Sequence, residues 1–422
     1  MNQYSLQYGE STINFEIPDA FRSELITPEV IRPNASPIEI VQKAIASPLG
    51  KLDSKSFPLD KRLTAAIAVN DKTRPVPHEI LLPPLLNYLQ ISLGIKKSDI
   101  FFIIASGTHT PMSADEYQLT LPDWIFKEYQ IFVHDCDKQD DLISIGKTSR
   151  NTPIRINKHF SSADLKIVVG DIEPHHFAGF SGGVKTASIG LTSRETIRAN
   201  HSHLLDERST IASYFENPLR QDIEEIGQLI GVDLALNAVL NSDHEIVQAF
   251  FGDPKEVMLQ GMELSKKICQ TKIQSPYDLV IASCGGYPKD INLYQAQKAI
   301  THACGLLKKG GRLILLAECR EGIGSPGWSR FMNEVTSVDD IPLKFQAEGF
   351  SVGPHKAYLL YRQLKMIEIF LVSRIDPYEV RKFFIRPSET FETAWENVRP
   401  TLNADSRIAI MPYAINTIPR FE

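Results

Sequence analysis

Short, continuous apolar runs recur along the first half of the chain, and each ends in a polar or glycine-containing turn. Such runs are typical of strands buried on both faces, and their alternation with helical segments predicts a parallel, doubly wound sheet. The predicted strands are Leu63–Val69, Ile100–Ala105, Ile131–Val133 and Leu165–Gly170. The predicted helices include Pro37–Ile45, Ala114–Leu119 and Pro84–Leu93, the last with proline at its start.

A polar stretch, Lys266–Ser275, interrupts this pattern, which then starts again. We interpret the stretch as a bridge between two domains, residues 1–270 and 271–422. The expected fold class is therefore α/β, with two Rossmann-like lobes and a cleft between them. A last strand-like run, Arg407–Met411, fits either lobe, so the final segment is a candidate to return to the first domain. The other predicted elements are a hairpin of Tyr4–Tyr8 and Ile13–Ile17, strands Leu279–Cys284, Arg312–Glu318 and Met366–Val372, and helices Leu293–Leu307, Asp339–Phe350 and Pro377–Arg386.

Composition narrows the function classes. The formal net charge of the 422 residues is −6, which disfavours a nucleic-acid binder because such proteins neutralise phosphates with a basic surface. The five cysteines show no paired spacing, as expected of reduced thiols. The first residues do not form a secretory signal, and no apolar run approaches the ~20 residues that span a bilayer. We expect a soluble, cytoplasmic enzyme with no nucleic-acid or membrane partner.

Chemically versatile side chains follow the predicted strands at the points where these end. Since ligands of open α/β sheets bind beyond the carboxyl ends of the strands, this placement indicates an active site. The first half of the chain contributes Asp71, Arg74, His109 and the adjacent pair His175 and His176. The second half contributes Tyr294, Gln295 and Lys298 on the helix after its first strand.

Each of these signals has a purely structural alternative. Asp71 and Arg74 are equally compatible with a cap and a surface ion pair, and His109 with a turn residue. His201 and His203 have the spacing of a metal-binding pair on a strand or loop, or are simply surface residues. Two adjacent histidines in a glycine-rich turn, as at His175, are harder to explain without a role.

The loop 179–186, Gly-Phe-Ser-Gly-Gly-Val-Lys-Thr, partly matches the phosphate-binding P-loop G-x-x-x-x-G-K-[ST]. Val184 stands where that motif has glycine, and the two glycines are Gly182 and Gly183. The loop can still present N–H groups to an anion. A lysine in such a loop, Lys185, is also placed for covalent chemistry. A P-loop-like ATP-dependent kinase or ligase is therefore the alternative function.

The charges favour a different chemistry. Arg74 and Lys298 supply fixed positive charge suited to a carboxylate, and His109 and His175 exchange protons near neutral pH. Two proton-exchanging groups beside a carboxylate-binding cation suggest reaction at the carbon next to an acid, as in a racemase. The residues by themselves do not name the substrate.

Five motifs in matched order, between about residues 60 and 300, resemble the nickel-dependent lactate racemase family. They are Asp71-x-x-Arg74-Pro75, Gly107-Thr108-His109, Glu173-Pro174-His175-x-x-Ala178-Gly179-Phe180-Ser181-Gly182-Gly183-x-Lys185, Asn200-His201 and Tyr294-Gln295-x-x-Lys298.

The resemblance implies a specific cofactor, a nickel-pincer nucleotide, which is a pyridinium-3-thioamide-5-thiocarboxylic acid mononucleotide carrying nickel in the cleft. Lys185 would attach it covalently and His201 would ligate the nickel, an assignment that suits imidazole. Cofactor-biosynthesis proteins would be partners. The implied roles are acid–base catalysis for His109 and His175, cofactor binding for Asp71, Gly182 and Gly183, and substrate binding for Arg74, Lys298, Tyr294 and Gln295.

The implied reaction racemises or epimerises a small 2-hydroxy acid. One histidine removes the hydroxyl proton while the α-hydrogen leaves as hydride to the cofactor, and the flat 2-oxo acid accepts it back on either face. One position departs from the family pattern, because Tyr358 stands where the lactate enzyme is expected to have tryptophan. The family also acts on larger 2-hydroxy acids, so lactate is the first candidate substrate only.

Overall fold

The computed structural model describes residues 1–29, 31–50, 62–74 and 76–421. The chain divides into two compact units, a larger one of residues 30–268 and a smaller one of residues 1–29 with 269–422. Each contains a six-stranded sheet with helices, so the prediction of two α/β lobes is confirmed.

The sheet of the larger unit is parallel except at one edge. Its strands, in spatial order, are Ile246–Gly252, Leu234–Leu240, Leu165–Asp171, Ala65–Asn70, Ile100–Ala105 and Gln130–Val133. Only Ile246–Gly252 runs antiparallel to its neighbour. Alternate residues of one strand serve two cores, with Ile67 on one face and Ala68 on the other. Both faces are thus buried, which is why the parallel strands have continuous apolar sequences.

Eight helices were found among the described residues of this unit or ending at its boundary. They are Pro37–Ala46, His78–Asn87, Asp123–Glu128, Lys158–Ser162, Lys185–Ser188, Arg194–Ser202, Pro218–Ile230 and Pro254–Cys269. Two small antiparallel pairs join Leu142–Lys147 to Pro153–Asn157 and Pro174–His175 to Gly179–Phe180.

One predicted helix begins in the wrong place. The helix His78–Asn87 contains Pro83 and Pro84 in its interior, and a π-helical turn, Tyr88–Ser92, follows it. Proline costs backbone hydrogen bonds at such positions. The helix nevertheless buries an apolar face that includes Leu81, Leu82, Leu85 and Leu86, and this burial offsets the loss.

The strand order of the larger unit reverses beside Ala65–Asn70. The chain proceeds from this strand through Ile100–Ala105 to one edge and then returns to place Leu165–Asp171 on its other side. Such a reversal opens a crevice beyond the carboxyl ends of the two central strands, where doubly wound sheets bind ligands. The residues that follow these strands are Asp71 to Arg74 and Ile172 to His176.

The sheet of the smaller unit is entirely parallel. Its strands, in spatial order, are Arg386–Ser388, Glu368–Val372, Leu307–Leu316, Tyr277–Ser283, Arg407–Met411 and Arg22–Leu25. Its helices are Leu293–Cys304, Pro326–Asn333, Asp340–Glu348, Pro354–Leu364, Pro377–Arg381 and Phe391–Val398. A hairpin of Asn2–Tyr8 and Ser11–Ile17 packs on its core through Leu6, Phe15 and Ile17.

The domain assignment of the N-terminus differs from the predicted 1–270 domain. Strand Arg22–Leu25 pairs in parallel with Arg407–Met411, so residues 1–29 complete the sheet of the smaller unit. Strand Arg407–Met411 is itself inside that sheet rather than returning to the first domain. A parallel pair between the two chain ends has no local sequence pattern, because its partners are separated by nearly the whole chain.

The predicted bridge Lys266–Ser275 contains the point where the chain passes from one unit to the other, after residue 268, and it has regular structure. It comprises the end of helix Pro254–Cys269 and the strand Gln270–Ile273, which pairs in parallel with Ile418–Phe421. Its polar residues reflect half-exposed elements rather than a loop. Within the described residues, no helix has both the length and the apolar composition needed to cross a membrane.

Candidate active site

Asp71 and His109 form a hydrogen-bonded pair beyond two neighbouring strands of the larger unit. Oδ2 of the buried Asp71 lies 2.7 Å from His109 Nδ1, and its Oδ1 accepts hydrogen bonds from Thr73 N at 3.0 Å and Thr73 Oγ1 at 2.5 Å. Burial acts to raise the pKa of Asp71, but the hydrogen bonds from His109 and Thr73 outweigh it and the pKa is lowered. An ionised carboxylate only accepts, so His109 donates through Nδ1–H and Nε2 is the ring nitrogen left for other partners.

Arg74 lies among three carboxylates. Its Nη1 pairs with Glu173 Oε1. Burial acts to lower the pKa of Arg74, but Glu173, Asp171 and Asp71 reverse this and hold it raised. Arg74 is therefore positively charged, as predicted, and is held in place by its ion pair with Glu173. Pro75, which completes the motif, lies outside the described residues.

His175 lies in the short pair of Pro174–His175 with Gly179–Phe180, directly after a central strand. Its Nδ1 accepts a hydrogen bond from Ala178 N at 3.3 Å, and its ring centroid lies 4.7 Å from that of Phe177. Burial, and then the nearby charges of Lys185 and Arg74, lower the pKa of His175 well below the ordinary value. The imidazole is therefore neutral at physiological pH, and because its Nδ1 accepts from Ala178, the ring proton lies on Nε2.

Lys185 is the first residue of a four-residue helix, Lys185–Ser188, that follows the glycine-rich loop. Burial, reinforced by the charges of Arg74 and Arg220, lowers the pKa of Lys185 to about 7. A lysine in this state is in part an uncharged amine at neutral pH, and an uncharged amine is nucleophilic.

The two glycines before Lys185 have conformational roles. Gly182 has φ 72° and Gly183 has φ 57°, and a Cβ on Gly182 would lie 2.7 Å from Asp171 O. Gly183 N donates to Asn237 Oδ1 at 2.7 Å, so this N–H is engaged by the protein rather than directed to an anion. The glycines thus allow the sharp turn that brings Lys185 over the strand ends.

Two charged groups at this loop were missed from the sequence. Arg220, fully buried, donates from Nη1 to Phe180 O at 2.9 Å and from Nη2 to Gly182 O at 3.2 Å. It therefore clamps the loop from the helix Pro218–Ile230. Asp171 ends a central strand, and burial together with Glu173 raises its pKa to about 7. Neither residue belongs to a recognisable motif. The position of Asp171 at the end of a strand is the one sequence feature that could have identified it.

His201 lies on the helix Arg194–Ser202, not on a strand or loop as predicted for a His201–His203 pair. Residues two apart on a helix point in different directions, so the pair cannot present both rings to one metal; His203 follows the helix end. His201 is 7% exposed and its Nδ1 lies 3.0 Å from Asn200 Oδ1. An amide oxygen only accepts, so His201 carries its proton on Nδ1 and its lone pair on Nε2.

Tyr294, Gln295 and Lys298 lie on the helix Leu293–Cys304 of the smaller unit. Their neighbour Lys356, a buried residue of the helix Pro354–Leu364, was not predicted from the sequence. Its Nζ lies 4.8 Å from the Tyr294 ring centroid and donates a hydrogen bond to Gln297 Oε1 at 3.0 Å. Burial, then repulsion by Lys298, lowers the pKa of Lys356 to about 7. Lys298 and Lys356 therefore lie close enough to repel each other across two helices, and a bound anion would relieve this repulsion.

Tyr358, at the position where the sequence departs from the family pattern, is 8% exposed. Its ring stacks on Phe345 at 5.4 Å between centroids and also contacts Tyr361 at 5.9 Å. The residue is thus part of an aromatic cluster in the smaller unit.

Comparison with known proteins decides the family. A family model described as Lactate racemase N-terminal domain matches residues 8–212, and one described as Lactate racemase C-terminal domain matches residues 272–418. A lactate racemase of Thermoanaerobacterium thermosaccharolyticum is 31% identical to the chain, and the alignment covers 100% of both proteins. The chain belongs to the lactate racemase family.

Other members and solved structures agree with this placement. A lactate racemase of Lactiplantibacillus plantarum is 28% identical over 98% of each chain. The structure of the lactate racemase apoprotein from T. thermosaccharolyticum superposes with a TM-score of 0.89 at 29% identity, covering 99% of this chain and 100% of that one. A protein from Thermotoga maritima shares the fold, with a TM-score of 0.64 at 17% identity over 91% and 98% of the two chains. The lactate racemase family thus accounts for the whole length of the chain.

Proposed function

We propose that this member of the lactate racemase family racemises or epimerises a small 2-hydroxy acid, with lactate as the first candidate. The observation that carries the proposal is that the charge of Arg74 acts both on Asp71, the partner of His109, and on His175. His109 is oriented by a carboxylate that leaves Nε2 as a proton acceptor, and His175 is held neutral by burial and neighbouring cations. A racemase needs two proton-exchanging groups, since either enantiomer can be the substrate.

The residues present fit a lysine-bound nickel-pincer nucleotide. Lys185 has the lowered pKa of a nucleophilic amine, and the hydrogen bond to Asn200 gives His201 the ring tautomer of an Nε2 metal ligand. Within the described residues, the buried atoms Ser106 Oγ and Asn70 Oδ1 at the strand ends have no hydrogen-bond partner, as expected where a polar ligand completes the site. When bound, the cofactor supplies the acceptor for hydride.

The protein residues would then bind the substrate and move its hydroxyl proton. Arg74 pairs with Glu173 through one guanidinium nitrogen and has further N–H donors for a substrate carboxylate. His109 Nε2 takes the hydroxyl proton, and the Asp71 carboxylate stabilises the imidazolium that results. His175, whose neutral ring carries its proton on Nε2, is the second proton-exchanging group.

The substrate-binding roles of Tyr294, Gln295 and Lys298 rest on the family motif. The charge of Lys298, which acts on the buried Lys356 beside Tyr294, supports an anionic substrate. Tyr358 in place of tryptophan is a reason to test larger 2-hydroxy acids beside lactate. Cofactor-biosynthesis proteins are the partners that this function requires.

The P-loop-like alternative is disfavoured by the same loop. A phosphate-binding lysine is a fixed positive charge, whereas burial lowers the pKa of Lys185 to about 7. The Gly183 N–H, which a P-loop would direct to phosphate, is donated to Asn237.

The test is the intact mass and nickel content of protein produced in a host that synthesises the cofactor. We expect a covalent adduct that maps to Lys185 by peptide analysis, and about one nickel per chain. Lys185→Arg keeps the positive charge but removes the primary amine, so it should carry neither adduct nor nickel. An unmodified Lys185 together with ATP-dependent phosphoryl transfer would refute the proposal.

A further inference from the structure

A fully buried polar network lies behind His201. Asn200 and Asp222 are each 0% exposed, and Asp222 projects from the helix Pro218–Ile230 toward the helix that carries His201. Asn200 Nδ2 donates to Asp222 Oδ2 at 2.8 Å and to Leu219 O at 3.1 Å. No Arg or Lys in the described part of the chain pairs with Asp222, and a carboxylate buried without such a partner is costly, so its retention calls for an explanation.

Two hydroxyl groups satisfy the rest of the carboxylate. Thr148 Oγ1 donates to Asp222 Oδ1 at 2.6 Å, and Thr152 Oγ1 donates to Asp222 Oδ2 at 2.9 Å. Both Asp222 oxygens are therefore engaged as hydrogen-bond acceptors, one by Thr148 and the other by Thr152 and Asn200.

These contacts fix the orientation of the Asn200 amide. Its –NH₂ faces two acceptors, Asp222 Oδ2 and Leu219 O, and a flipped amide would place its oxygen against both of them. Asn200 Oδ1 is thereby directed to His201 Nδ1 at 3.0 Å, which requires the ring proton on Nδ1 and the lone pair on Nε2. The carboxylate thus determines the ring tautomer of His201 through one intervening amide.

We propose that Asp222 is a positioning residue that holds His201 in the metal-ligating tautomer through Asn200. This inference rests on the proposed role of His201 as the nickel ligand. Asp222 is fully buried and reaches His201 only through Asn200, so its role is to orient that ligand rather than to bind substrate or cofactor. A residue that only stabilised the packing of the two helices would affect the folding free energy but not the position of the ring proton on His201.

The test is the ring tautomer of His201, read from long-range ¹H–¹⁵N correlation spectra of cofactor-free protein with ¹⁵N-labelled histidine. The His201 signals are assigned by their loss in His201→Gln. We expect the Nδ1–H tautomer in the wild type. In Asp222→Asn a charged acceptor becomes a neutral one, and we expect the ratio of Nδ1–H to Nε2–H to fall about tenfold.

Thr148→Val is the matched control, because it removes one hydrogen bond to Asp222 but leaves the contact with Asn200. It should lower stability and leave the tautomer unchanged. Asn200→Leu, which removes the acceptor at Nδ1, should shift the tautomer and shows that the assay detects a change. A wild-type ring protonated on Nε2 overturns the proposal whether or not Asp222→Asn folds. The proposal is also overturned if His201 keeps the Nδ1–H tautomer in Asp222→Asn while the tautomer has shifted in Asn200→Leu.

Nickel content gives a second reading that separates this proposal from the proposed function. In protein carrying the cofactor, Asp222→Asn should keep the Lys185 adduct but hold at least tenfold less nickel per adduct after dialysis against a chelator. Full nickel retention overturns the positioning role alone. If the wild type carries no adduct, the proposed function is overturned. The tautomer measurement on cofactor-free protein still tests whether Asp222 orients His201.

Discussion

Replacing Lys185 with methionine should stabilise the cofactor-free protein in a pH-dependent way. The lysine side chain lies among Arg74 and Arg220, and burial together with these charges lowers its pKa from 10.5 to about 7. An unfolded chain binds the proton of this lysine up to about pH 10.4. At any pH where the unfolded chain binds this proton, the lowered pKa therefore reduces the free energy of unfolding. A methionine of similar length carries no charge and avoids this cost.

The size and sign follow from the difference in pKa. Below pH 7 the lysine is protonated in both states and the full cost applies, about 5 kcal/mol for a pKa lowered from 10.5 to about 7. Because the side chain retains some solvent contact, we expect about 3 to 5 kcal/mol. Between pH 7 and 10.5 the unfolded state binds more protons than the folded state, so wild-type stability rises with pH and the advantage of Lys185→Met shrinks. At pH 9 it should be about 1 to 2 kcal/mol.

Urea unfolding of the two cofactor-free proteins at pH 6, 7, 8 and 9 measures this difference. Lys43→Met, at an exposed position of the helix Pro37–Ala46, is the control and should show no comparable pH dependence. A Lys185→Met protein that is no more stable than the wild type at pH 6, or whose advantage is constant to pH 9, would show that Lys185 does not have a lowered pKa. The argument for a nucleophilic lysine would then fail.

Two further substitutions test the geometry of the site. Gly182→Ala should lower the free energy of unfolding by more than about 3 kcal/mol in thermal unfolding, because at φ 72° its Cβ would lie 2.7 Å from a carbonyl oxygen. The control Gly231→Ala has a similar φ of 74° but open space around it, and it should cost only about 1 kcal/mol. Asp71→Asn should lower kcat for racemisation about 100-fold with the fold intact, because His109 loses the carboxylate that orients it. Thr73→Val, which keeps that carboxylate, should have a much smaller effect, and equal kcat values for the two variants would contradict the Asp71 assignment.

The sequence predicted elements best where burial is uniform. Strands Ile100–Ala105 and Arg407–Met411 have the predicted bounds, since every residue is apolar or lies at a strand end. Strand Leu234–Leu240 was missed because Asn237 interrupts its apolar run. Asn237 is fully buried and bonded to the Gly183 backbone, a partner 54 residues away that no local pattern reveals.

Site residues were predictable from the sequence where they directly follow a strand. They were not predictable where they lie on a helix and contact the site residues from the protein interior. Asp71 and His109 were identified by their places after strands, and the structure joins them in a hydrogen bond. Arg220 and Asp222 lie on an amphipathic helix, where charged residues ordinarily indicate an exposed face. Both are 0% exposed. Their partners from other elements are backbone carbonyls, two threonine hydroxyls and an amide, which only the folded chain brings together.

The most direct measurement follows single enantiomers by chiral chromatography with protein that contains nickel and the Lys185 adduct. The substrates are lactate, malate, 2-hydroxyglutarate, phenyllactate and longer aliphatic 2-hydroxy acids. We predict that at least one is converted from either enantiomer to the same mixture, and that His109→Ala and His175→Ala lose this activity. Failure to invert any of these acids, or parental rates in both histidine variants, would contradict the proposed racemase and its acid–base pair.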